Sequence, residues 1–267
     1  MPPFIQDIAP ADLALLFSVL FVGSVIAGIL ILKPVLRLFI GRRDPNINEA
    51  IGHGTASFSV FYALLAGLLT VAAYQNRERV AQHIFAEATA IGALYAVMDV
   101  YPEPTRSEVQ AMLRDYVLFT IHRVWAAHRV GEYLNGGSNR AEALQRQLAS
   151  FLPANPAQQA VHAETLRAMA AFTAARQNWL NGTITRIPDV LWYAVLVGAA
   201  LNLLILILLR IKLVAHLILG TISAFFLGVV LFVITVLDDP LRGATGIAPV
   251  AFELLWDHQM RWDEPLG

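Results

Sequence analysis

The sequence predicts an all-α integral membrane protein in which four transmembrane helices carry a helical extramembrane domain inserted between the second and the third. Three observations predict it. Of 267 residues, 57% are hydrophobic and only 15% charged, against about 25% charged in an ordinary soluble domain. The apolar residues come in four blocks of bilayer-crossing length. Between the second and third blocks the apolar positions follow a helical period, with no alternating strand pattern.

The first block, Leu13 to Leu32, is uncharged. At 1.5 Å per residue, about 20 residues match a hydrocarbon core of roughly 30 Å. No basic residue precedes it and no small-residue cleavage site follows it, so it reads as a span rather than a cleaved signal peptide. The second block covers Ala56 to Tyr74 and the third Val190 to Leu209. The fourth covers Leu213 to Leu237, interrupted only by His216 and hydroxyl residues. A backbone facing lipid must satisfy its own hydrogen bonds, so each block is read as a helix.

The domain reading follows: 1–76 for the first two spans, 77–187 for the extramembrane helices, 188–237 for the last two spans, and 238–267 for a C-terminal tail. Val80, Ile84, Ala88, Ile91, Leu94, Tyr95 and Met98 form a helical stripe that continues the second span outward. Pro102 and Pro104 stop it. The next helix, capped by Thr105 or Ser107, is expected to run to Leu134 and end at Gly136–Gly137. A shorter helix reaches Phe151. A last one covers Ala157 to Trp179 and loosens at Asn181–Gly182.

Basic residues in short loops set the expected orientation. Lys33, Arg37, Arg42 and Arg43 follow the first span, and Arg210 and Lys212 follow the third. Both hairpins therefore read as cytoplasmic. Both termini and the 77–187 domain then lie outside, in the periplasm of a bacterium. The preference for Arg over Lys, with the high Ala content, hints at a GC-rich bacterial genome and an inner-membrane location.

A net charge of −1 and a pI near 6.7 leave no basic face for nucleic acid. The absence of cysteine excludes disulfides, thiol catalysis and Cys-based metal sites. There is no phosphate loop, nucleophile elbow, zincin motif or dinucleotide fingerprint, so neither an enzyme nor a cofactor is expected. His83 and Glu87 lie one turn apart, but two ligands do not make a zinc site, and no metal is expected.

The candidate functional residues are in and around the spans. A stripe of small residues on the second span presents Thr55, Ser59, Ala63, Gly67 and Thr70 as candidate pathway wall. Close helix packing accounts for the same stripe. Phe225 and Phe226 on the fourth span are candidates for a hydrophobic gate, or face lipid. Asn202 and His216 are polar inside spans, where polar groups are costly. Asn202 reads as an interhelical hydrogen bonder, and His216 as reaching the interface. Glu49 and His53 stand at the mouth of the second span. Asp238 and Asp239 end the fourth, where they attract cations or solvate the helix end.

Four pieces of sequence resemble the bacterial bestrophin-like membrane proteins. They are Asn48-Glu49 with Gly52 and Tyr62-Ala-Leu-Leu65; Glu87 with Leu94-Tyr95; Tyr101-Pro-Glu-Pro104 with Leu113, Tyr116 and Trp125; and Leu237-Asp238 with Pro240, Gly243 and Pro249. Ser59, Asp239 and Leu241 depart from the pattern. The resemblance implies the four-span fold with its inserted helices, and a homo-oligomeric channel with the second span lining the pore. It also implies small inorganic ions as cargo, with anions favoured. The competing expectation is a non-conducting membrane anchor whose 77–187 helices bind a partner or sense a ligand.

Overall fold

The computed structural model describes residues 8–35 and 45–261, with side chains described from Asn48 onward in the second segment. Arg37, Arg42 and Arg43, on which part of the orientation reading rests, lie outside the described residues. So does the end of the tail after Arg261. The described residues are helical, with no strand among them. They divide into two compact units: Met1–Gln75 with Arg186–Asp239, and Asn76–Thr185 with Pro240–Gly267.

The first unit holds the apolar crossings. Helix α1 (Pro10–Ala27) passes through a π-helical turn, Gly28–Leu32. Helix α2 (Pro45–Val97) begins in this unit and runs without interruption for 53 residues, or about 80 Å at the standard rise. Helices α7 (Asp189–Leu208) and α8 (Leu213–Leu237) complete it. Among the described residues, four helices are long and apolar enough to cross a membrane. Their burial pattern supports that role. Phe61, Leu64, Leu68, Val19, Leu20, Ile222 and Phe226 all lie more than half exposed. An apolar surface of that extent belongs against lipid or another chain rather than water.

Small residues let α1 and α8 approach closely. A Cβ on Gly228 would sit 3.1 Å from the Phe17 carbonyl oxygen, and one on Gly220 would sit 2.8 Å from Val25. Ala224, between them, is fully buried. The small-residue spacing of α8 is therefore a packing face for α1.

The second unit is a helical bundle around one apolar core. It contains the rest of α2, then α3 (Thr105–Phe119), a π-helical turn (Thr120–Val124) and α4 (Trp125–Arg129). Helices α5 (Gly136–Ala149), α6 (Pro156–Ile184) and α9 (Val250–Leu255) follow. All seven residues of the predicted α2 stripe are buried, from Val80 to Met98.

Three helix ends differ from the sequence reading, each for a local reason. The helix expected to reach Leu134 stops at Arg129. Gly131 takes a φ of 79°, and its N–H donates to the His128 carbonyl at 3.0 Å while Glu132 N–H donates to Ala127 at 2.9 Å. That pair of bonds is a Schellman cap. Gly136–Gly137 opens α5 instead of closing its predecessor. Asn181–Gly182 does not loosen α6, which continues to Ile184. There the Asn76 side chain donates to the carbonyls of Gly182 and Thr185 at 3.2 and 3.0 Å. At α3 no Thr or Ser side chain caps the start; the Glu103 carboxylate accepts from Ser107 N–H instead. The start of α6 is capped by Asn155, which accepts from Gln158 N–H at 2.9 Å, while Gln158 returns a carbonyl oxygen to Ala154 N–H. This reciprocal arrangement satisfies two otherwise orphaned donors.

Candidate functional site

Within the first unit, α2, α7 and α8 line a partly open cavity of about 630 Å³. Its lining includes Thr55, Ser59, Ala63, Gly67 and Thr70, all five residues of the predicted wall. The local reason is the helical repeat: steps of four and three residues keep these positions on one face of α2. They are small, so the wall is recessed. A Cβ on Gly67 would meet nothing within 4 Å, so this part of the stripe faces space rather than a packed neighbour.

The opposite wall carries Asn202, Leu203 and Leu206 from α7, and Phe226, Leu227 and Val230 from α8. Ser59 donates to the Asn202 side-chain oxygen at 3.3 Å, so Asn202 is bonded between helices. One turn earlier on α7, Gly198 makes room for Tyr62, whose ring would lie 2.7 Å from a Cβ there. The structure separates the two gate candidates. Phe226 is among the cavity's lining residues and Phe225 is not, although both are more than half exposed.

The remaining predicted polar residues are placed elsewhere. Glu49 and His53 are exposed and 3.7 Å apart, and they do not line the cavity. His216 packs inside the unit. It is fully buried, with Nδ1 2.6 Å from Lys33 Nζ and Nε2 3.1 Å from the Leu206 carbonyl. That carbonyl cannot donate, so Nε2 carries the hydrogen and Nδ1 is left to accept from the Lys33 amine. The pair ties α8 to α7 and to the end of the first span.

Asp238 and Asp239 are also buried, at 5% and 6% exposure, which removes them from the solvent. Asp238 accepts from Ile187 N–H at 2.8 Å and from the Trp192 indole at 3.2 Å. Asp239 pairs with Arg186 at 2.7 Å. Both carboxylates therefore hold the beginning of α7.

The second unit contains a buried charge cluster that sequence reasoning did not assemble. Glu87 is fully buried. Its carboxylate receives the Tyr116 hydroxyl and the Trp179 indole N–H, and Arg176 lies 3.6 Å away. Tyr116 also accepts from the Arg176 guanidinium. Gly137 permits the arrangement, because a Cβ there would stand 3.0 Å from the guanidinium carbon. His128 packs edge-on against Trp179, with ring centroids 5.5 Å apart. Burial pushes the Glu87 carboxyl up, while Arg176 and the donated hydrogen bonds oppose the rise. Burial, aided by the Arg176 charge, lowers His128 to about 4. His83, one turn from Glu87 on α2, is absent from these contacts. Four chain-distant elements supply the cluster. The one sequence signal was the presence of Glu87, Tyr116 and Trp125 in the family-like pieces.

Comparison with known proteins gives one family and one shared fold. A family model for the bestrophin-like domain matches residues 22–252. No curated protein matches the chain. Among solved structures, a membrane protein carrying a proline-to-alanine substitution matches with a TM-score of 0.70 at 11% identity, covering 91% of this chain and 97% of its own. A bacterial bestrophin homologue from Klebsiella pneumoniae, with a leucine-to-threonine substitution, matches with a TM-score of 0.66 at 12% identity. It covers 93% of this chain and 98% of its own. A further membrane protein, with a glycine-to-alanine substitution, gives 0.64 at 13% identity, with 94% and 99% covered. At these identities the likeness is one of fold.

Proposed function

The chain belongs to the bestrophin-like family, and from that premise and the cavity we propose that it forms a homo-oligomeric pathway for small ions across the bacterial inner membrane. One observation carries the proposal: five small or hydroxylated residues of α2 share one recessed wall, and Gly67 on that wall faces open space. A stripe used only for packing inside this chain would meet neighbouring atoms along its length. Phe226, on the opposite wall, is the aromatic positioned to narrow the path, by the dewetting mechanism of hydrophobic gates. The family implies anions as cargo.

Flux into liposomes containing the purified protein tests the reading. Chloride or potassium should move down a gradient faster than in empty vesicles. Rates no faster than those of empty vesicles for both ions would sink it. Cross-linking in detergent should show one ladder ending at a single oligomer.

The proposed orientation places both termini and the 77–187 helices in the periplasm, on the charge of the two short loops. Because the chain lacks cysteine, a single introduced thiol such as Ala126→Cys reports its side directly. Labelling by an impermeant maleimide in intact spheroplasts supports the orientation. Labelling only after lysis reverses it.

A second reading is favoured by the surface of the second unit. A pocket of about 190 Å³ is lined by Val100, Tyr101, Phe151 and Val161, and neighbouring Leu152 is 88% exposed. A non-conducting anchor would use such a surface to hold a partner or a ligand. One partner retained through purification, without flux, would select this reading.

A further inference from the structure

We infer that the α2–α7–α8 cavity is a binding site for a neutral, lipid-soluble carbonyl compound of the quinone type. The inference concerns the cavity described above but does not require that ions pass through it. Among the described residues, no Lys, Arg, His, Asp or Glu lines the cavity. A charged ligand between the spans would therefore lack a counter-charge, and an uncompensated charge inside a bilayer is costly. The fitting occupant is neutral. The volume of about 630 Å³ falls in the range of small-molecule sites, which join apolar walls to a few convergent polar groups.

The convergent groups here are donors. The Asn202 side-chain oxygen accepts from Ser59 at 3.3 Å, which leaves the amide nitrogen to donate. Hydroxyls in the spans commonly return their hydrogen to the carbonyl four residues back, as Ser18, Ser24, Thr55, Thr70 and Thr235 do. Ser223 on α8 lines the cavity and makes no such bond. Tyr62 on α2 is also in the lining, 7% exposed, and its hydroxyl is set deeper with no partner. An amide or hydroxyl left unpaired in hydrocarbon carries a desolvation cost. Ligand carbonyl oxygens accept without donating, so they relieve that cost at Asn202 and Ser223.

The walls select a flat molecule that arrives from the lipid. Ala63, Ala66 and Gly67 make the α2 wall low, and a Cβ on Gly67 would meet nothing within 4 Å. Phe226 stands on the opposite wall. A low wall facing an aromatic side chain accommodates a planar ring stacked on that side chain. Val71 and Phe226, both lining residues, are more than half exposed. The cavity therefore opens on the apolar outer surface of the spans.

Menadione uptake by the full-length oligomer in phosphatidylcholine nanodiscs provides the test; the chain has no thiol for this quinone to alkylate. Saturable uptake beyond that of protein-free discs is expected. Its absence overturns the site. Ser223→Ala should weaken binding roughly 3- to 10-fold, the scale of one hydrogen bond, and Ala63→Phe should abolish it by filling the slot. Saturable uptake unchanged by either substitution overturns the assignment to this cavity. Methylnaphthalene has the same rings without the carbonyls and should bind more weakly; equal affinity overturns the carbonyl assignment. Ser223→Ala removes one exposed hydroxyl, so it reports even if Ala63→Phe does not assemble. Ion flux through the same protein separates the two readings. Flux without menadione uptake overturns the site and leaves the pathway standing, and uptake without flux does the reverse.

Discussion

The Arg176 guanidinium lies 3.6 Å from the Glu87 carboxylate, with neither side chain appreciably exposed. Two opposite charges removed from water cost several kcal/mol each to desolvate, and their attraction recovers this only when their remaining hydrogen-bonding capacity is also met. Tyr116 and Trp179 meet it on the Glu87 side. On the Arg176 side, Nε has no partner in the structure. The pair is therefore well matched to its surroundings at one end and incompletely at the other.

Breaking the pair from one side should be worse than removing it. Arg176→Met strands a buried carboxylate and is expected to cost about 3–5 kcal/mol. The double variant Glu87→Leu with Arg176→Met should cost less than Arg176→Met alone. Unfolding in detergent, followed through tryptophan fluorescence, measures the wild type, both single variants and the double variant. A double variant as damaged as the sum of its singles would show that the two charges do not compensate each other.

Acid stability should depend on His128. Its folded pKa of about 4 lies below the usual 6.5, so the neutral imidazole contributes stability fully present above pH 6.5. That contribution is lost as pH falls through about 4. A shift of this size is worth on the order of 3 kcal/mol. Glu87 has the opposite sign: its folded pKa is raised, so its contribution is greatest below its ordinary value and declines as pH rises through the folded one. Between pH 6.5 and 4, His128→Asn should flatten the loss of thermal stability seen in the wild type. Parallel curves for the two proteins would remove His128 as the cause.

Two glycines should respond in opposite directions. Gly137→Ala pushes a methyl group into the Arg176 guanidinium and is expected to cost about 1–3 kcal/mol, as overpacking does. Gly67→Ala meets nothing within 4 Å. The better helix former should leave stability unchanged or raise it by up to about 1 kcal/mol. Melting temperatures of the two variants are sufficient to compare them.

Asp238 should outweigh its neighbour. Asp238→Ala leaves the Ile187 N–H and the Trp192 indole without their acceptor, at a cost of about 1–3 kcal/mol. Asp239→Asn weakens one ion pair whose arginine is 38% exposed, and half-solvated pairs contribute less than about 1 kcal/mol. Denaturant midpoints should rank the two in that order.

The sequence made the spans and the α2 stripe legible because lipid and core packing each impose a simple pattern on composition. It also grouped Thr55, Ser59, Ala63, Gly67 and Thr70, since one helix face is a property of spacing alone. The helix ends were harder. Gly131 caps α4 because φ there is positive, whereas Gly136 and Gly137, which look like the stronger stop, enter the next helix. The partners of buried polar groups were not legible at all. Lys33 and His216 are 183 residues apart, and Glu87 and Trp179 are 92 apart. No local pattern in one sequence encodes such pairings. Asp238 and Asp239 looked like a solvated helix end for the same reason, because their donors at Arg186, Ile187 and Trp192 come from α7 and the segment just before it.

The α7–α8 hairpin is fastened at both ends. His216 grips the Leu206 carbonyl at one end, and Asp238 holds Ile187 and Trp192 at the other. The first span is joined to it through Lys33 and the close seat of Gly228 on Phe17. Three of the four crossing helices thus behave as a door frame. Against that frame α2 is the leaf: its hold on α7 includes the 3.3 Å Ser59–Asn202 bond and the seat of Tyr62 on Gly198. The cavity therefore has one wall, α7 and α8, braced by the first span, and a second wall, α2, fastened to the hairpin at Ser59 and again at Asn48, which accepts from Arg210 N–H at 2.8 Å.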